Sequence, residues 1–181
     1  MCIRDRYQGG ISVFDWTDAS NPREIAFFDR GPSDSTRMGP GGTWSAYWYN
    51  GVIVSSEIAR GLDILELTPS GLLSQNEIDA AKTVRFEYLN AQGQPKLVWP
   101  PSFALARAYV DQLGRSNGLS ARRISDVRRM LNDADRTSGS QRAEMLTRLA
   151  GQLDGDMSAS GDAARIRMLA GAVRELSTAS R

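Results

Sequence analysis

The sequence predicts a β-plus-α protein, in which an antiparallel β-meander precedes a small α-helical bundle. Three observations predict this class. The segment Gly10–Thr17 (GISVFDWT) returns 51 residues later as Gly61–Thr68 (GLDILELT). Asn50-Gly51 separates two strand-like runs, and after residue 101 the apolar residues recur at helical spacings of three and four. A recurrence at such a period is typical of stacked β-modules, because one module cannot bury its apolar face without a neighbour.

The first β elements begin at the earlier copy of the repeated segment. Ile11–Trp16 is mostly apolar, which suits a strand with both faces buried. A cluster of turn-forming residues over 18–22 separates it from a second strand, Glu24–Asp29. The stretch Arg30–Thr43 contains several glycines and prolines, which predicts a loop.

A hairpin follows this loop. Asn50-Gly51 is the strongest short hairpin signal, since both positions of the favoured two-residue turn need a positive φ. We therefore expect Trp44–Tyr49 and Val52–Ser56 to pair, with a further strand over Leu62–Leu67. The resulting order of strand, strand, loop, hairpin and strand predicts an antiparallel meander.

The pattern changes after Gly71. Ser74-Gln75-Asn76-Glu77 matches a capping box, which predicts a short helix to about Lys82. Val84–Leu89 and Leu97–Trp99 are candidates for two short strands around a turn over 92–95. Pro100-Pro101 then forms a stiff hinge.

Residues 102–181 predict four helices. Ser102, Ser120 and Asp162 are expected N-caps, and Ser138–Gln141 fits a second capping box. Each predicted helix carries one apolar stripe of the width that packs on partner helices. The linkers between them are short, so an antiparallel bundle is expected.

Composition excludes several classes of function. Hydrophobic residues make up 41% of the chain and charged residues 24%, values typical of globular protein. The sequence has no histidine, which is the usual general base near neutral pH and the commonest metal ligand. Cys2 is the single cysteine, so internal disulfides are excluded. No apolar run approaches the roughly 18 to 20 residues that span a bilayer. We expect no catalytic centre, cofactor, metal or integral membrane segment.

The opening peptide 1–6 (MCIRDR) has no pattern of its own and adjoins the middle of a repeat. It resembles translated sequencing-adapter sequence, so we set it aside from the fold prediction. On this interpretation the native N-terminus lies outside the sequence, and the lack of a secretion signal is uninformative.

Two stretches support a resemblance to a known family. Gly10–Asp15 followed by Asn21–Ile25 resembles the LVIVD-repeat pattern, and Asn50–Glu57 with Arg60–Leu67 resembles the next repeat. Such repeats are taken to be blades of a β-propeller, usually in secreted or cell-surface bacterial proteins of no assigned activity. The loop before Trp44 is longer than a usual blade connection, and no clear fourth strand follows the second copy.

The resemblance implies a domain organisation and a location. Residues 7–68 would form a partial β-propeller of one to two blades, residues 69–101 a connector, and residues 102–181 an α-helical C-terminal region. An extracellular, periplasmic or cell-surface location is implied.

An aromatic group lies beside the glycine-rich loop. By strand alternation Trp44 and Trp48 share a face and are expected to fill the space between blades, whereas Tyr47 and Tyr49 are expected to be reachable. Flat amphipathic rings bind sugars and peptides. Tyr47, Tyr49 and the loop residue Arg37 are therefore the candidate ligand-binding residues.

Other charged groups have simpler interpretations. The acids of the β region match no calcium loop and are expected at turns and strand ends: Asp15, Asp18, Asp29, Asp34, Glu57, Asp63 and Glu66. Residues 102–181 hold 13 arginines, no lysine and nine acids. Because this surplus is small for a phosphate-binding patch, we expect a solvated helical face and no nucleic-acid partner.

Two functions remain open. The favoured one is a non-catalytic secreted or cell-surface scaffold that presents loops to a protein or glycan. The alternative is the structural part of a secreted propeller enzyme whose active site lies in further N-terminal blades. Histidine, aspartate or arginine recurring at one blade position near the axis would favour the alternative.

Overall fold

The computed structural model describes residues 2–6, 8–32, 34–37, 39–93 and 95–179. The chain divides into two compact units: a β unit of residues 1–78 and 84–97, and a helical unit of residues 79–83 and 98–181. The predicted class, antiparallel β-structure followed by helices, is confirmed. The propeller arrangement stays a prediction.

The β unit contains two antiparallel sheets, and each follows the strand order of the sequence. The strands of the first sheet are β1 (Cys2–Arg6), β2 (Gly10–Asp15) and β3 (Arg23–Phe28). The strands of the second sheet are β4 (Thr43–Tyr49), β5 (Val52–Glu57) and β6 (Gly61–Leu65).

The β1–β2 and β5–β6 hairpins have the same register. Arg6 lies opposite Gly10 in the first, and Glu57 lies opposite Gly61 in the second. The remaining pairs of the first hairpin recur in the second at the same offset of 51 residues. Gly10 and Gly61 both have a positive φ, 67° and 96°, which L side chains rarely adopt. The repeat seen in the sequence is therefore a repeat of backbone structure.

Setting the peptide 1–6 aside from the fold was wrong, because Cys2–Arg6 forms β1. This strand occupies the position that β5 holds in the second repeat. Strand pairing uses main-chain donors and acceptors that every non-proline residue carries. A segment without side-chain periodicity can therefore complete a ladder, and the sequence pattern gives no sign of it.

The two sheets differ in the strand that flanks the shared hairpin. In the first sheet β3 pairs with β2, whereas in the second sheet β4 pairs with β5. The segment 74–79, which corresponds to β3 by the offset of 51, instead begins helix α1. Consequently β6 is an edge strand among the strands that the structure describes.

The hairpin turn between β4 and β5 agrees with its prediction. Asn50 and Gly51 have φ values of 49° and 99°, as the twist-matched two-residue turn requires. The Asn50 side chain also binds the connector. Its Oδ1 accepts a hydrogen bond from the Phe86 amide at 2.7 Å, and its Nδ2 donates to the Phe86 carbonyl at 2.9 Å.

The two strands proposed for the connector were wrong. Val84–Leu89 and Leu97–Trp99 are irregular, with a short 3₁₀ turn at Ala91–Gly93 between them. At Phe86 the reason is visible, because the Asn50 side chain binds both main-chain polar groups that a strand ladder would use. Gln94, in the predicted turn, lies outside the described residues.

The helices are α1 (Gln75–Lys82), α2 (Phe103–Arg115), α3 (Ala121–Asp135), α4 (Gly139–Asp156) and α5 (Ala163–Ala179). The capping box of α1 is confirmed. The Ser74 amide donates to Glu77 Oε2 at 2.7 Å, and the Glu77 amide donates to Ser74 Oγ at 3.3 Å. The end of α1 lies in the helical unit and its start in the β unit.

Three of the four caps predicted for α2 to α5 are confirmed, since Ser102, Ser120 and Asp162 each accept a hydrogen bond from the amide three residues on. The capping box at Ser138 was wrong, because its side chain makes no capping bond. Gly139 follows it with φ +58°, so the backbone departs from helical geometry where the box would form.

The apolar stripes of α2 to α5 meet in one core. Its largest fully buried side chains are Val110, Leu113, Val127, Leu131, Leu146, Leu149, Leu153, Ile166 and Leu169. Within the described residues, every helix is too short or too polar to cross a membrane.

Candidate binding surface

The second sheet begins with a β-bulge that changes the direction of one tryptophan. Trp44 is the extra residue between Thr43 and Ser45, which lie opposite two consecutive residues of β5. Trp44 is 62% exposed, while Trp48 is only 7% exposed. The prediction that both tryptophans share a buried face was therefore wrong, because the bulge breaks the alternation between them.

The outward surface of the second sheet is called here the Tyr47 face. Residues that lie opposite one another in a sheet project to the same side, so the register defines this face directly. One row consists of Tyr47, Val54 and Ile64. The complete set is Ser45, Tyr47, Tyr49, Val52, Val54, Ser56, Leu62 and Ile64.

The Tyr47 face is largely apolar and partly open. Tyr47 is 47% exposed, and Leu62 and Ile64 on the edge strand are more so. Ser45 and Ser56 join across the strands through a 2.8 Å hydrogen bond between their hydroxyls. Contiguous exposed apolar surface of this kind marks an interaction site more often than scattered single residues do.

Tyr49 lies on the same face but is more constrained than the sequence predicts. It is half-buried, and its hydroxyl donates to the Phe86 carbonyl at 3.2 Å. Arg85 Nη1 donates to the Asn50 carbonyl at 2.8 Å at the same end of the sheet. The connector therefore covers this end, and Tyr47 is the more accessible of the two candidate tyrosines.

Arg37 lies in a different place. It lines a cavity of about 230 Å³ that is formed by the loop after β3, and neither tyrosine lines this cavity. Nearby, Asp34 Oδ1 accepts hydrogen bonds of 2.8 Å from both the amide and the hydroxyl of Thr36, which lower the pKa of Asp34. The structure therefore joins Tyr47 and Tyr49 on one surface and leaves Arg37 apart.

Glu57 is a buried carboxylate on the opposite face of the sheet. Its Oε1 accepts from the Gly42 amide at 2.7 Å, and its Oε2 accepts from the Ala59 amide at 2.9 Å. The Gly42 amide first, then the Arg60 and Ala59 amides and the Arg60 charge, lower the pKa of Glu57 against the opposing effect of burial. The ionised side chain thus binds the end of the long loop to the β5–β6 turn.

Glu57 does lie at a strand end, as the sequence predicts, but its burial was not predicted. The alternation of side chains along β5 is the sequence signal for this burial. Ile53, Ser55 and Glu57 alternate along the strand and are all buried, so they point to one side. An acid at such a position needs partners, and here main-chain amides provide them.

A second ionic contact joins the loop after β3 to β6. Arg30 Nη2 lies 2.6 Å from Asp63 Oδ1, and the Arg30 guanidinium lies 5.5 Å from the centre of the Phe28 ring. Together with Glu57 and Arg60 these groups line a space of about 20 Å³. A space of that size accommodates about one water molecule, so the cluster is structural.

Several other acids have the turn role that the sequence predicts. Asp15, Asp18 and Asp29 each accept a hydrogen bond from the amide two residues later, at 2.8–3.0 Å. The hydrogen bond from the Ser20 hydroxyl, followed by that from its amide, lowers the pKa of Asp18. In the described part of the chain, no three such side chains are grouped so that they could hold a metal ion.

Five arginines of the helical unit pair with acids, four of them between helices. Arg107 contacts Asp135 at 2.7 Å, and Arg128 contacts Asp111 at 2.8 Å, so both pairs join α2 to α3. Arg123 of α3 contacts Asp156 at 2.8 Å. Further pairs are Arg129 with Asp126 and Arg174 with Asp154. These charges neutralise one another instead of forming a uniform basic surface.

Comparison of the chain with protein-family models, with curated proteins and with solved structures gives no match. The resemblance to LVIVD repeats therefore remains an expectation from the sequence, and the binding surface is interpreted from its own geometry.

Proposed function

We propose that this protein is a non-catalytic scaffold of β-propeller type, of the LVIVD-repeat kind, whose β unit binds a protein or glycan ligand. A secreted or cell-surface location fits this role. The helical unit, with its own core, is an appended domain. The observation that carries the proposal is the Tyr47 face, a partly exposed aromatic and aliphatic surface on a sheet whose backbone repeats.

Tyr47 is the expected centre of ligand contact. A tyrosine offers a large, stiff contact area with only two side-chain torsions to fix, so it binds with a small loss of entropy. Val54 and Ile64 flank it in the same cross-strand row and extend the apolar contact. The Arg37 loop provides a second, polar contact region on the same unit.

Selection of ligands from a glycan array and a peptide library, followed by calorimetry on Tyr47→Ala, tests the proposal. The expected loss of affinity is roughly tenfold or more, as for an aromatic anchor. Tyr88→Ala is the matched control, since Tyr88 is an exposed aromatic residue of the connector and lies outside the Tyr47 face.

Ligand binding that survives both Tyr47→Ala and Tyr49→Ala unchanged would refute the assignment of this surface. Equal losses in Tyr47→Ala and Tyr88→Ala would also count against it, because the effect would then not be local to the Tyr47 face.

A further inference from the structure

Equivalent positions of the two hairpins differ sharply in exposure. Ile11 and Val13 of β2 are each 2% exposed, whereas Leu62 and Ile64, their counterparts at the offset of 51, are 65% and 64% exposed. Both pairs are aliphatic and occupy the same register positions. Because the residues themselves are alike, the difference lies in their surroundings. Strand β2 lies between β1 and β3, whereas β6 is an edge strand among the described strands, and the two faces are covered to different extents.

The cover of the first sheet comes from the second. Strand β4 lies beside β1 and β2 within the β unit. Residues of the second sheet that project away from the Tyr47 face, such as Trp48 and Ile53, are buried. Phe28, which lies opposite Ile11, lines one small space together with Glu57 and Asp63 of this inward face, which indicates that the inward face of the second sheet packs on the Ile11 side of the first sheet.

The other side of the first sheet is called here the Phe27 face, and it combines exposed aromatic residues with the buried Ser12 and, opposite Phe14, the exposed Glu24. Phe27 is 76% exposed and lies opposite Ser12, whose position corresponds to Asp63 on the inward face of the second sheet. Phe14 and the exposed Trp16 follow Ser12 on this side and contact each other edge to face, with ring centres 6.3 Å apart.

We propose that the Tyr47 face binds the Phe27 face of a second copy of this chain. The contact would repeat, between chains, the packing of the second sheet on the first that already exists within one chain. Each surface is the counterpart, by register, of one that is buried in that internal contact. This proposal rests on the proposed function, since it names the protein partner of the same face.

The contact joins two different surfaces, so it is heterologous and each bound copy still offers one free face. Such an arrangement continues head to tail and forms either a closed ring or an open chain of copies. It therefore predicts assemblies larger than a dimer as the concentration rises, which a symmetric contact between two Tyr47 faces cannot form.

Sedimentation velocity of the full chain over a wide range of concentrations provides the test. Ile64→Lys and Phe27→Lys each place a charge on the exposed part of one face, and each is expected to weaken self-association roughly tenfold or more. Both side chains are exposed, so folding should be retained, and circular dichroism checks this. Met168→Lys, at an exposed position of α5, is the matched control and should associate as the unmodified chain does.

The decisive experiment mixes Ile64→Lys with Phe27→Lys. Each retains the face that the other has lost, so an equimolar mixture should form a one-to-one heterodimer while each variant alone stays monomeric. A monomeric unmodified chain at every concentration overturns the inference. Normal self-association of Phe27→Lys also overturns it, because a symmetric contact between Tyr47 faces would then be responsible. Loss of glycan or peptide binding in Tyr47→Ala, with a monomeric unmodified chain, would leave the proposed function standing and this inference refuted.

Discussion

Both the helical unit and the β unit carry apolar residues at the spacing of their secondary structure. They differ in whether those apolar residues are buried by other parts of the described chain. The apolar stripes of α2 to α5 meet each other, and Leu131 and Leu146 are fully buried. In the β unit, Phe27, Leu62 and Ile64 remain exposed on two sheet faces. Amphipathic helices joined by short loops can enclose a core locally, whereas a stacked sheet needs a neighbour on each apolar face.

This difference indicates where function is expected. A unit whose apolar residues are already buried presents mainly its charged surface to a partner. A unit with open apolar faces is either destined for assembly or prone to aggregation. Strand β6 has an exposed edge beside an apolar face. We therefore expect the second sheet to be the part of the β unit that binds a partner.

The largest expected losses of stability come from truncating buried aliphatic residues, whereas truncating exposed ones should cost little. Leu131→Ala and Ile11→Ala should each lower the free energy of unfolding by about 2–5 kcal/mol, because both create a cavity. Leu62→Ala should change it by no more than about 0.5 kcal/mol. Urea denaturation of dilute protein measures this, with far-ultraviolet circular dichroism for the helical unit. Tryptophan fluorescence in a Trp99→Phe background reports the β unit, because Trp99 lies in the helical unit. A loss at Leu62 as large as that at Ile11 would show that β6 is covered within the chain.

The β4–β5 turn should be the next most sensitive element. Asn50→Ala removes both hydrogen bonds to Phe86 and leaves alanine at a positive φ, so we expect a loss of about 2–4 kcal/mol. Asn50→Gly relieves the backbone strain and should lose about 1–2 kcal/mol less than the alanine variant. Thermal and urea unfolding of both variants measure the difference. Equal losses would mean that the side-chain bonds alone hold the connector.

Removing a helix cap should lower stability by a smaller amount, and Ser138 serves as the internal control. Ser102→Ala should destabilise the helical unit by about 1 kcal/mol, because Ser102 Oγ accepts the Leu105 amide at 3.1 Å. Ser138→Ala should have little effect, since Ser138 makes no side-chain capping bond. Urea denaturation followed by circular dichroism compares them. A cost at Ser138 equal to that at Ser102 would reinstate the second capping box.

The smallest expected effect is a change in pH dependence. The folded pKa of Glu57 lies below its ordinary value of 4.5, so ionised Glu57 stabilises the β unit above that pH. This contribution is lost as the pH falls through the lowered pKa. Stability of Glu57→Gln should therefore vary less with pH in this acidic range, as measured by denaturation across a pH series. Glu87→Gln, in the connector, is the control, and an unchanged slope in Glu57→Gln would contradict this role.

Features with local causes were predictable from the sequence. The Asn50-Gly51 turn, the α1 capping box and the Ser102 cap depend on neighbouring residues, and all three are confirmed. The apolar stripes of the helices predicted their core for the same reason. The repeat of 51 residues marked two equivalent strands, β2 and β6, whereas the partner strand β1 of the first copy was not predicted.

Features that depend on distant contacts were not predictable. β1 forms through main-chain pairing with β2, and Phe86 is bound by a side chain 36 residues earlier. The bulge at Trp44 reverses one side chain without any composition signal, so the aromatic face was assigned only in part. Burial of Glu57 depends on amides at both ends of the loop and turn that it joins.

The central claim is that two equivalent sheet faces differ because one is covered and the other is open. Thiol labelling of dilute protein tests it, with Val13→Cys and Ile64→Cys each introduced in a Cys2→Ser background. The thiol at position 64 should react at least roughly tenfold faster than that at position 13, because a buried thiol reacts only through local opening. Equal labelling rates at the two positions would contradict the claim.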